Sequence, residues 1–201
     1  LPGDEHGRPL DVDAAVLPAR TAPPAESAEH ETPRRLVIVS NRLPYRFEGD
    51  GAGGFSFERS VGGLATGLGL LHEEAGNLWI GWADAAEGLA DEGRAALDGA
   101  LAERACRAVF LDAKDAKRYY EGFSNSAVWP LFHGFPHLAR FDKGEWEAYR
   151  RVNERFRDAV VAEARSGDVL WVQDYHLMLL PSLLREALPD ARIGFFLHIP
   201  F

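Results

Sequence analysis

Cysteine is nearly missing from this 201-residue sequence: Cys106 stands alone. A single thiol cannot close an internal disulfide, which excludes a small secreted scaffold held together by such bridges. The N-terminus has no basic segment followed by an apolar core, so no secretory signal is read there and a cytoplasmic setting is expected. No apolar run is long enough to span a bilayer, and no membrane partner is expected. Positive charge is also scarce. Lys and Arg number 22 against 31 Asp and Glu, a formal net charge of −9. A duplex binder needs basic density to displace condensed counterions, so nucleic acid is excluded as a partner. Small phosphorylated ligands are not excluded, because one arginine or one helix N-terminus can hold them. Two phosphate-binding signatures are missing as well. No G-x-G-x-x-G directly follows the first apolar run, and there is no Walker sequence with its lysine, which sets aside a generic dinucleotide-binding module.

What is present fits an ordinary globular chain, 46% hydrophobic and 26% charged, with room for one sizeable α/β domain but not for two full nucleotide-binding halves. Residues 1–33 are rich in proline, alanine and acidic residues with little apolar periodicity. Such a segment cannot bury enough surface to offset its ordering entropy, and a disordered N-terminal extension is expected there. From Arg34 onward, apolar runs of strand length, 36–40, 78–82, 108–112, 168–173 and 192–199, alternate with longer amphipathic segments. Uninterrupted apolar strands separated by helices predict a mostly parallel sheet covered on both faces, a Rossmann-like doubly wound α/β domain over 34–201. Trp146, Tyr149, Val152, Phe156, Ala159 and Val160 recur at helical spacing up to Gly167, and a second helix is read over "HLMLLPSLLREAL". Aromatic and polar residues alternate about a glycine-rich centre between Tyr45 and Arg59, predicting a mobile hairpin over the first strand. No internal repeat is found.

In open parallel sheets ligands bind beyond the carboxyl ends of the strands, and each strand end offers a candidate there. Arg42, after the first strand, would present a planar fork of donors to a phosphate, or is a solvated arginine or a helix-capping ion pair. Gly62 and Gly63, in "SVGGLATGLGLL", would let backbone amides at a loop-to-helix junction approach an anion, or serve tight helix packing. "KRYYEGFSNSAVWPLFH" brings Tyr119, Tyr120, Phe123, Trp129 and His133 into one polar-aromatic stretch suited to a sugar, with Phe123, Phe132 and Tyr119 read as core. Asp174 could orient or deprotonate a hydroxyl, or cap the helix that follows. His176 is read as making a structural hydrogen bond. His198, in "FFLHIPF", is either an exposed histidine at the crevice or a satisfied core residue.

Together and in order, SNR, VGGLATGL, LWIGW, YYEGFSNSAVWPLFH, YRRVNERFRDAV, WVQDYHLMLLP and RIGFFLHIPF closely resemble the N-terminal half of the trehalose-6-phosphate synthase family, retaining glucosyltransferases of the GT-B fold. The resemblance covers residues 35 to 201. It implies transfer of glucose from a nucleotide-glucose donor, UDP-glucose being the commonest, to glucose 6-phosphate, giving trehalose 6-phosphate with retention and without a metal or other cofactor. By match to the family motifs, Arg42 binds the acceptor phosphate, Tyr120 and Trp129 line the acceptor site, and the amides of Gly62 and Gly63 face the donor phosphates. Asp174 contacts the acceptor near the attacking hydroxyl, and His198 hydrogen-bonds the transferred glucose. The remaining donor-binding groups belong to a C-terminal donor domain, so the sequence is expected to be an acceptor-binding front half with negligible turnover alone. A retaining transfer without an obvious protein nucleophile leans on charge stabilisation of the departing diphosphate and close placement of the two sugars. The alternatives are a transferase that makes glucosylglycerol phosphate and a catalytically silent sugar-phosphate-binding regulator. The sequence leaves the donor nucleobase and the oligomeric state open, a homo-oligomer included.

Overall fold

The computed structural model describes residues 34–50, 53–74, 76–86 and 88–200; the expected extension over 1–33 lies outside them. Among the described residues five parallel strands form the central sheet: β1 (Leu36–Arg42), β4 (Leu78–Trp82), β5 (Cys106–Val109), β6 (Val169–Gln173) and β7 (Arg192–Phe196). Their spatial order is β5-β4-β1-β6-β7, and every neighbouring pair is parallel. The chain therefore moves outward from β1 to β5 and then returns to the other side of β1. That reversal of direction lies between β1 and β6, where an open α/β sheet leaves a crevice beyond its carboxyl edge.

Both faces are covered, as the apolar runs predict. Along β1, Val37 and Val39 point into one core with Leu78, Ile80, Leu170 and Val172, beneath α5 (Lys143–Glu163) and α6 (Leu180–Ala187). Ile38 points the other way, joining Trp79 and Cys106 under α1 (Gly63–Glu73) and α2 (Asp91–Ala102). The period of two along each strand assigns alternate residues to opposite cores. The second core also takes Phe47 from the predicted hairpin, β2 (Tyr45–Gly49) paired antiparallel with β3 (Phe55–Arg59).

Several boundaries move, each for a local reason. The strand read over 108–112 is β5, two residues earlier. Its register starts at Trp79↔Cys106, and Asp112 is diverted to cap α3 (Ala113–Lys117) by accepting the Asp115 N–H. Asp142 starts α5 in the same way, accepting from Glu145 N–H, and the helix stops at Glu163 rather than running to Gly167. The second helix begins only at Leu180, with Pro181 in its first turn, where a missing N–H costs nothing; residues Tyr175–Leu177 before it form a short 3₁₀ turn. The strand read over 192–199 ends at Phe196, and among the described residues it pairs on one side only, with β6. Between α3 and α4 (Trp129–Phe132), residues Arg118–Val128 wind as a π-helix, closed by a Trp129 N–H that reaches five residues back to Ser124 O. Nothing in the spacing of "RYYEGFSNSAV" announces this rare geometry, which is most often met as a single turn at functional sites.

Paired charges brace the frame. The Arg35 guanidinium bonds both Asp168 oxygens at 3.0 and 2.6 Å, tying the start of β1 to the start of β6. Arg151 of α5 grips Asp115 of α3 at 3.1 and 2.5 Å. None of the described helices is long and apolar enough to cross a membrane.

Candidate active site

Arg42 reaches the crevice because β1 leaves regular pairing at its end. The β1–β4 register shifts between Val39 and Arg42, and Trp79 Nε1 stitches the distortion by donating to Ser40 Oγ at 2.8 Å and Arg42 O at 3.2 Å. Gly81 makes room, since a Cβ there would lie 2.6 Å from Arg42 C and Leu43 N. The guanidinium then lies over Trp82 and Tyr120, 5.6 and 5.0 Å from their ring centroids. It also pairs with the Asp84 carboxylate, so both an ion pair and an opening to the crevice are realised for Arg42. Asp84 opens the 84–86 turn, and nothing in its sequence context marked it.

The π-helix delivers Tyr120. One residue earlier, Tyr119 is fully buried and its hydroxyl donates to Asn41 Oδ1 at 2.8 Å. On the next turn Asn125 Oδ1 accepts from Tyr175 OH at 2.9 Å. The segment is thereby pinned to the ends of both β1 and β6. Tyr119 and Phe123 pack into the first core, as read from the sequence.

Asp174 follows β6 with φ at 74°, the left-handed region that a residue bearing a Cβ enters only under constraint. Its N–H donates to Phe196 O at 2.7 Å, and its Oδ1 accepts from His198 N–H at 3.1 Å. No side-chain cap is made to the turn that follows, so the capping alternative for Asp174 falls. His198 is exposed, and its Nε2 meets Gln173 Oε1 at 3.0 Å; it is not a core residue.

His176 corrects the sequence reading. Instead of making a structural hydrogen bond, its ring is 7% exposed with neither nitrogen partnered. It stacks on Tyr120 at 5.5 Å with 10° between the planes, and Tyr175 lies on it at 3.9 Å. Burial, helped by the Arg42 charge, pushes its pKa down to about 3, so the ring is neutral at neutral pH.

Gly62 and Gly63 open α1 with no capping side chain and no acidic residue in the first turn. A Cβ at either would meet nothing within 4 Å. Tight helix packing therefore does not account for the pair.

A cavity of about 760 Å³ beyond the β1 and β6 ends is lined by Arg42, Gly62, Gly63, Tyr120, Asp174 and His176. Five of the seven residues to which the resemblance gives a site role thus share one cleft. Trp129 and His198 are outside its lining. Trp129 is 42% exposed and stacked on His133 at 4.0 Å, while His198 touches the cleft through Asp174. Among the described residues no group of three His, Cys, Asp or Glu side chains is placed to hold a metal ion.

Residues 34–201 match the glycosyltransferase family 20 profile. An Aspergillus niger alpha,alpha-trehalose-phosphate synthase (UDP-forming) is 45% identical over 182 residues, which cover 88% of this chain and 38% of that protein. The Schizosaccharomyces pombe enzyme of the same name is 45% identical over 84% of this chain and 33% of its own length. Among solved structures, the Burkholderia vietnamiensis synthase superposes with a TM-score of 0.61 at 36% identity, covering 83% of this chain and 33% of that one. A Burkholderia xenovorans synthase in complex with glucose-6-phosphate superposes with the same score at 34% identity, over 83% of this chain and 34% of that one. The chain spans about a third of these relatives, less than the half expected from its motifs. With the profile covering every strand and every cleft residue, this chain belongs to glycosyltransferase family 20.

Proposed function

We propose that residues 34–201 form the acceptor-binding part of a retaining glucosyltransferase that joins glucose from a nucleotide-glucose to glucose 6-phosphate, giving trehalose 6-phosphate. The convergence of Arg42, Tyr120 and Asp174 with the Gly62–Gly63 helix start on one cavity carries this reading. A cation resting against two adjoining aromatic rings suits a phosphate, and the tyrosine ring beside it suits a sugar. The uncapped α1 amides suit the diphosphate of a departing nucleotide, where charge develops as the glycosidic bond breaks. Asp174, on the wall of the same cavity, orients the attacking hydroxyl. In this reading Trp129 contributes to the acceptor side and His198 meets the transferred glucose, although neither lines the cavity of the described residues. The donor is UDP-glucose, as the UDP-forming relatives suggest, and its base and ribose are held by a donor domain beyond these residues.

The test is a nucleotide-release assay on a chain of the relatives' length, with UDP-, GDP- and ADP-glucose as donors and glucose 6-phosphate or glycerol 3-phosphate as acceptor. UDP release with glucose 6-phosphate is expected. Arg42→Ala should raise KM for glucose 6-phosphate about tenfold to a hundredfold, because a charge-assisted contact contributes about 1.5–3 kcal/mol, and should leave donor KM nearly unchanged. Equal effects on both substrates would remove Arg42 from the acceptor site, and preference for glycerol 3-phosphate would reassign the acceptor.

A further inference from the structure

We propose that His176 is a positioning residue whose Nδ1–H clamps the Asp174 carboxylate, and that this hydrogen bond closes when the cleft takes its acceptor sugar. For its catalytic consequence the inference rests on the transferase reading above.

His176 is buried at the cavity wall with both ring nitrogens unsatisfied. Leaving buried polar atoms without partners is costly, so such a pair needs an explanation. Nδ1 faces Asp174 Oδ2 at 3.9 Å, just beyond hydrogen-bond reach. The other oxygen of that carboxylate already accepts the His198 N–H. Asp174 is thus held on one side and open on the side that His176 faces.

The histidine cannot easily move to close the gap. Its ring lies between Tyr120 and Tyr175, and Asn153 Nδ2 of α5 holds its carbonyl at 3.2 Å. The Tyr149 hydroxyl donates to Tyr175 O at 2.7 Å and accepts from Met178 N–H at 3.1 Å, fixing the turn on both sides. The carboxylate is the movable partner. A sugar hydroxyl arriving at Asp174 turns it by the remaining ångström, and the negative charge favours the proton on Nδ1. Because the ring is neutral it donates without cancelling the charge that Asp174 turns toward the acceptor. The stack also couples the clamp to substrate, since Tyr120 contacts both the His176 ring and the Arg42 guanidinium.

Two measurements test this. Nitrogen-15 NMR of the histidine-labelled transferase at the relatives' length, saturated with glucose 6-phosphate at pH 7, should show His176 with its proton on Nδ1; the Nε2–H tautomer in that complex would overturn the clamp. In the transferase at the relatives' length, His176→Phe keeps the stack but loses the donor, and His176→Asn keeps an amide donor near the Nδ1 position. Phe should lower kcat by about tenfold to a hundredfold with a smaller change in acceptor KM, the cost of one hydrogen bond to a charged group, and Asn should restore most of it. Activity kept by Phe and lost by Asn would make His176 a packing residue and sink the proposal. Absence of any glucosyl transfer by the parent protein would sink the transferase reading, while the tautomer would still decide the Asp174 contact.

Discussion

Gly62 and Gly63 carry no side chain, although nothing within the described structure requires it. The backbone at Gly62 is ordinary extended chain with φ at −83°, and added Cβ atoms would stand in open space. Space left free by the fold is open to a ligand, which in the proposed function is the diphosphate end of a donor. Gly63→Ala should therefore leave the fold intact or stabilise it by up to about 1 kcal/mol, since alanine is the better helix former. The same change should weaken donor use, seen as a raised KM for the nucleotide sugar in the release assay. Unchanged donor kinetics would show that close backbone approach is not what the pair provides. At this scale residue types were readable but their settings were not. Nothing around Asp84 says that it will pair with Arg42, and the "DYH" triplet does not say which histidine nitrogen faces a carboxylate. Those relations join residues on different strands.

Elements position the site through close backbone contacts and ion pairs that local sequence does not encode. Gly81 sits in β4 against the distorted end of β1, and a methyl group there must push the backbone of Arg42 and Leu43. Gly81→Ala should cost about 1–3 kcal/mol of stability, as overpacking does. It should also raise acceptor KM without touching any ligand, checked by urea unfolding beside the kinetics. A larger effect on the donor would show that β1 does not carry the acceptor subsite. Acid should loosen the same frame. Arg151, by hydrogen bond and charge, holds Asp115 below the ordinary carboxylate range against the opposing effect of burial. Burial of Asp168 is likewise overridden by Arg35 and the Arg165 N–H, so its pKa also falls. Both folded-state values lie below the unfolded ones, so this stability is fully present above about pH 4 and drains as pH falls through the depressed values. The urea midpoint should drop between pH 5 and pH 3 in the parent, and less steeply in Asp168→Asn after allowance for its lower starting stability. The π-helix belongs to this scale too. Its polar-aromatic composition marked the segment as interesting, yet its winding follows from being pinned to Asn41 at one point and Tyr175 at another.

At the scale of the whole described structure, the cavity with the α1 start facing it has Arg42 and Arg46 against Glu48, Asp84 and Asp174, which provides little positive potential. A retaining transfer needs more than that to stabilise a leaving diphosphate. The 201-residue chain should bind glucose 6-phosphate measurably in calorimetry yet release almost no nucleotide from UDP-glucose, whereas a chain of the relatives' length should turn over. Robust turnover by the shorter chain would place the donor machinery within residues 34–201 and overturn the division of labour proposed here.

The alternation of apolar runs with amphipathic stretches determined the parallel sheet, its two covered faces and the strand ends at which Arg42 and Asp174 stand. Burial along one strand is a local property with a period of two, written in neighbouring residues. Motif order likewise determined the family. Only the tertiary structure decided that Arg42 rests against both Trp82 and Tyr120, and that Gly81 makes room for the backbone beside it. It alone separated Trp129 and His198 from the cavity wall and left His176 without a partner beside Asp174. These are distances between segments far apart in the chain, set by packing across the sheet and by where β1 stops pairing, and no local window contains them.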